Sequence, residues 1–128
     1  MEEKTIAIDE FELNNKINKY RRYYENDLNR LWLSIDDKNK TYYASDNVES
    51  HINECKEKWN SGKKLYMHEV DKISSLMFIL GQHIYKGVFR DIDNVKLEAD
   101  ESYKLIRKFE QYEKDIEQLY TWVLNQDI

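Results

Sequence analysis

His51 and Cys55 stand four residues apart, with Glu54 beside Cys55. On a helix that spacing puts an imidazole and a thiol on one face, the minimum arrangement for two metal ligands. Structural zinc takes four ligands and catalytic zinc usually three. The remaining histidines, His68 and His83, come 17 and 32 residues after His51, too far along one continuous helix to join it. Cys55 also lies on an apolar stripe, where a free cysteine behaves as a small buried hydrophobe. The residues therefore read as a core cysteine and no metal site.

Other chemistry is absent at the level of local motif. No Glu-x-x-His pair is present for a carboxylate-bridged di-iron centre. The segments Asp37 to Thr41 and Asp91-Ile92-Asp93 begin like calcium loops, but lack the glycine at the sixth position and the glutamate at the twelfth. Neither a glycine-rich phosphate loop nor a serine or cysteine beside a histidine and a carboxylate in a known local pattern occurs. The expectation is a protein that is not an enzyme, with no cofactor and no catalytic residue.

Ten tyrosines and three tryptophans are the other notable side chains. Tyr20, Tyr24, Tyr66 and Tyr112 fall on apolar seams and read as core residues. Tyr23, Tyr42, Tyr43 and Tyr85 fall off them, as does Trp122. Tyrosine and tryptophan give large contact area for little lost rotamer entropy, so these five are the candidate partner-binding residues. Padding at the bundle ends is the competing account of them. Basic and aromatic side chains mix at Lys16 to Tyr24 and around Trp59, as in single-strand nucleic-acid binders. Solvated lysines flanking a buried stripe give the same pattern. The net charge of −5, from 25 acidic and 20 basic residues, opposes general affinity for polyanions, so nucleic acid is not the expected partner.

The elements that position these residues are helical. From Val48 to Ile84 apolar residues recur by threes and fours through Ile52, Cys55, Trp59, Gly62, Tyr66, Val70, Ile73, Met77 and Leu80, a period that only a helix places on one face. Ahead of it, Asp9 and Glu12 form an acidic capping box, with Ile8 and Leu13 as its hydrophobic staple. A stripe of Leu13, Ile17, Tyr20, Tyr24, Leu28, Leu31 and Ile35 follows. A polar loop is expected over residues 36–40, with Ser45 or Asp46 capping the second helix and Gly87 stopping it. The last helix is expected to start near Asp91 or Asp93 and to bury Leu105, Phe109, Tyr112, Ile116, Leu119 and Val123. At Asn60-Ser61-Gly62 the helix is either kinked or broken. Because the apolar phase crosses Gly62 and Lys63-Lys64 offers no cap, one helix of about 60 Å is favoured.

With 128 residues, no proline and three glycines, the chain reads as one all-α domain over residues 1–128. The expected architecture is an elongated antiparallel bundle of three long helices, coiled-coil-like in its seams, with the middle helix kinked or broken at Gly62 to give four. Ile73 to Leu80 is apolar on more than one face, so both flanking helices or the second chain of a homodimer must cover it. One cysteine permits no internal disulfide, and neither a membrane span nor a classical signal peptide is legible, so a cytoplasmic setting is expected.

Trp59-Asn60-Ser61-Gly62, between two helical stripes, resembles the Trp-x-Gly turn of the WXG100 family of small secreted helical hairpins. The likeness covers the middle third of the chain. An extra residue interrupts the motif, and the Tyr-x-x-x-Asp/Glu export signal is missing from the last helix. The functional expectation is an adaptor or inhibitor that binds another protein through a helical face. Two alternatives stand beside it. One is a phage or mobile-element inhibitor in the nucleic-acid channel of a host defence enzyme, to which lysine-, asparagine- and isoleucine-rich usage points. The other is a WXG100-like secreted helical partner.

Overall fold

The computed structural model describes residues 8–23, 37–90 and 97–126, with backbone alone for 37–41. Within them the chain is all-helical: α1 (Glu10–Arg21), α2 (Asp37–Asn60), α3 (Met67–Tyr85) and α4 (Ala99–Asn125), with α3 running on into a π-helical turn at Lys86–Arg90. No helix among the described residues is long and apolar enough to cross a membrane.

Helix α1 starts where its capping signal lies: Asp9 Oδ1 accepts from the Glu12 N–H at 2.7 Å, and Ile8 and Leu13 are both buried. The stripe expected beyond Tyr23 lies outside the described residues, as do the first residue of the expected loop and the residues Asp91 and Asp93 themselves.

The favoured continuous helix through Gly62 is corrected. Helix α2 ends at Asn60, and Gly62 takes φ +75°, a backbone region that side-chain-bearing residues rarely enter. Lys63 N–H bonds to Lys58 C=O at 2.9 Å and Gly62 N–H to Trp59 C=O at 3.1 Å, the paired bonds of a Schellman ending. The new helix caps three residues later than Lys63, at Tyr66, whose N–H donates to the Glu69 carboxylate at 2.9 Å. Glu69 also pairs with Lys58 across the turn. Leaving the helix exposes Tyr66, expected in the core, and buries Leu65 in its place.

Three further boundaries differ from expectation. Helix α2 begins at Asp37, so Ser45 is not a cap but an interior residue, with its hydroxyl 3.1 Å from the Tyr112 hydroxyl. Gly87 does not stop α3, because it sits buried in the π turn with no left-handed φ. Helix α4 starts at Ala99, with Glu98 in the cap position.

Side-chain pairs give the helix directions. Glu10, at the start of α1, accepts from the Tyr85 hydroxyl at the end of α3 at 2.6 Å, so α1 and α3 run opposite ways. Tyr120, late in α4, donates to Asp71, early in α3, at 2.6 Å, so these two are also antiparallel. The turn at Gly62 reverses α2 into α3, and the Trp59 and Trp122 rings stack 5.0 Å apart. Helices α1, α2 and α4 therefore run parallel, and α3 alone opposes them. Three helices alternating in direction are replaced by one central helix with three packed on it. This answers the question posed by Ile73 to Leu80: all but half-buried Phe78 are buried within one chain, so covering them does not require a second.

The core centres on Phe109, Ile17, Met77, Leu80 and Ile84, all fully buried. Gly81 makes the close approach there. A Cβ at that position would lie 2.6 Å from Ile17 Cγ1 and 3.1 Å from Phe109 Cε2, so only glycine lets α1 and α4 close on α3.

Candidate interaction groove

Helices α1 and α4 both pack on α3, and they meet each other chiefly through side chains. Lys16 Nζ reaches Glu113 at 2.9 Å and Lys19 Nζ reaches Glu117 at 3.7 Å. Between the two helices runs a groove made of two adjoining cavities that share Lys19 and Glu117. The first, about 620 Å³, extends to Phe11 and Lys114. The second, about 330 Å³, has Tyr20, Ser74, Ile116 and Tyr120 in its walls, with Met67 and Leu124 at its edge. Phe11 and Leu124, 76% and 72% exposed, mark its two ends.

Buried polar pairs hold these walls. Glu113 is only 8% exposed; one of its oxygens accepts from Lys16 and the other from the Tyr20 hydroxyl at 3.3 Å. Burial, with the charge of Glu113 and the hydrogen bond to it, pushes the Tyr20 phenol far above its usual range. Burial does the same to Tyr120, helped by its bond to Asp71. Desolvation opposes the charge on Lys16, but the carboxylates of Glu113, Glu110 and Glu12 outweigh it and raise the pKa. Both phenols thus stay protonated donors and Lys16 stays cationic, which suits positioning rather than proton abstraction.

The break at Gly62 also folds His68 back toward α2, which spacing along a continuous helix had ruled out. His51, Glu54, Cys55, Lys58, His68, Glu69 and Lys72 surround a cavity of about 290 Å³. Among the described residues no group of three or more His, Cys, Asp or Glu is arranged to hold a metal ion. Burial, reinforced by the charge of Glu69, pushes the Cys55 thiol up to about 11, so it is a poor nucleophile and a poor ligand at neutral pH.

The five residues singled out in the sequence do not converge. Tyr23 lies by the second groove cavity, its hydroxyl accepting from Arg22 at 2.7 Å. Trp122 lies at the same end of the bundle, stacked on Trp59. Tyr85 belongs to the opposite end, where its hydroxyl donates to Glu10 and accepts from Arg90 at 2.7 Å. Tyr42 is half-buried against the core, and Tyr43 is exposed. Sequence reasoning missed Phe11, Met67, Leu124 and the buried Glu113. Phe11 lies off the α1 stripe, which was the available signal; Glu113 carried none, because charge at a helical position ordinarily means solvent.

Comparison of the chain with protein-family models, with curated proteins and with solved structures finds no match.

Proposed function

We propose that the protein is a non-enzymatic interaction module that receives a segment of another protein in the groove between α1 and α4. One observation carries this reading: two helices held apart over a third leave a walled channel with large apolar side chains exposed at both ends. Grooves of this kind accept amphipathic helices through apolar anchors. The protonated state of Tyr20 and Tyr120 and the high pKa of Cys55 favour recognition over catalysis.

Photo-reactive side chains test the proposal. Placed at Phe11 and Leu124, they are expected to yield a covalent adduct with one common partner in the native cell, and none when placed at exposed Glu57 on α2. Equal labelling from Glu57, or no adduct from either groove position, overturns the reading.

A further inference from the structure

We propose that the groove's occupant is an acidic protein segment that seats a large apolar side chain at the end of the bundle where α1, α2 and α4 finish; this rests on the groove reading above. The chain as a whole is acidic, at −5, but among the described residues lining the cavities at that end Lys19, Arg22, Lys63 and Lys64 face a single acid, Glu117. Arg22 lines the 330 Å³ cavity. On the other side of the last turn of α4, Lys63 and Lys64 line a second cavity of about 410 Å³ with Trp59 and Gln126. Among the described residues none of Arg22, Lys63 and Lys64 is paired with a carboxylate, and the one acid lining the 330 Å³ cavity, Glu117, is engaged by Lys19. The last turn of α4 contributes no cation of its own. Exposed Leu124 and Met67 line the 330 Å³ cavity beside Arg22.

The shape selects the kind of polyanion. An apolar pit walled by Ile116, Tyr120 and Tyr20 takes a side chain, which a phosphodiester strand or a lipid headgroup layer does not supply. Cations around such a pit steer an acidic segment and fix its register.

The test titrates isotope-labelled full chain with two synthetic peptides sharing the same phenylalanines and leucines, one carrying glutamates and the other lysines elsewhere. Phosphatidylserine-containing vesicles and oligo-dT are run alongside. The glutamate peptide is expected to shift the Leu124 and Met67 methyl signals, to weaken with salt, and to lose about tenfold in affinity on Arg22→Glu or on joint Lys63→Glu and Lys64→Glu replacement. Equal shifts from the lysine peptide overturn the acidic assignment and leave the groove reading standing. Vesicles or oligo-dT perturbing these methyls while the peptides do not overturns it in favour of those surfaces. Silence at Phe11, Met67 and Leu124 with every ligand overturns both.

Discussion

Gly62 and Gly81 are glycines for different reasons, and replacing each by alanine separates them. At Gly62 there is open space for a Cβ, but φ is +75°, so alanine pays only the left-handed penalty of about 1–2 kcal/mol. Asparagine, which tolerates that conformation, restores part of it. At Gly81 the backbone is helical and the obstacle is Ile17 Cγ1 at 2.6 Å. That atom is close to the α1 backbone and cannot swing aside, so Gly81→Ala is expected to cost about 1–3 kcal/mol by overpacking, with no rescue by asparagine. Urea denaturation of the four variants, alanine and asparagine at each position, checks both statements. Glu69 is the other informative residue. Burial works against its charge, yet Lys58 and the Tyr66 N–H outweigh it and lower its pKa below the ordinary 4.5. A depressed carboxylate stabilises the fold above its unfolded-state pKa, and the contribution is lost as pH falls through its folded-state pKa. Wild type is therefore expected to exceed Glu69→Gln in melting temperature at neutral pH, and the gap to close as the solution is acidified through and below 4.5; a gap constant with pH contradicts the assignment.

At the scale of elements, the α2–α3 turn and the end of α4 are locked together. Trp59 and Trp122 stack with an interplanar angle of 4°. The Gln126 side-chain amide bonds to both backbone groups of Leu65, accepting from its N–H at 3.0 Å and donating to its C=O. These contacts satisfy polar groups that the broken helix exposes. Trp122→Ala is expected to abolish the exciton signal of the stacked indoles in circular dichroism and to cost at least about 1 kcal/mol. An unchanged spectrum removes the stack from the account. The helix charges follow the same logic. Acidic residues occupy the first turns of α1 and α4, and basic ones the last turns of α1 and α2. That distribution offsets the macrodipoles of three helices that point the same way.

At the scale of the whole molecule, α3 is buried on nearly every side, which bears on assembly. If Ile73 to Leu80 were a dimer seam, Met77→Glu would release folded monomers. Met77 is instead fully buried inside one chain, where an unpaired carboxylate costs several kcal/mol against a total stability of about 5–15 kcal/mol. The expected outcome is loss of the cooperative thermal transition, read together with light scattering. A folded Met77→Glu protein of halved mass would reinstate the seam.

The helical class, the start of α1, and the buried identities of Ile17, Val48, Ile73, Leu80, Phe109 and Ile116 were decided by the sequence alone. Apolar period and side-chain capping act within a few residues of one another, so one-dimensional spacing contains them. The end of α2 was only half legible. Gly62 signalled a stop, but the apolar phase ran through it, and the cap of α3 waited at Tyr66 and Glu69, beyond the residues that looked decisive. What tertiary structure decided was everything set by chain reversal. It returned His68 to the face of His51, made α3 alone rather than a continuous α2–α3 helix the centre, and left α1 and α4 spaced as the walls of a groove. It also drew Glu113 inward, because a lysine and a tyrosine 97 and 93 residues away supplied the partners that make a buried carboxylate tolerable. Local rules act on neighbours in sequence, whereas grooves and buried ion pairs are made by residues that only the folded chain brings together.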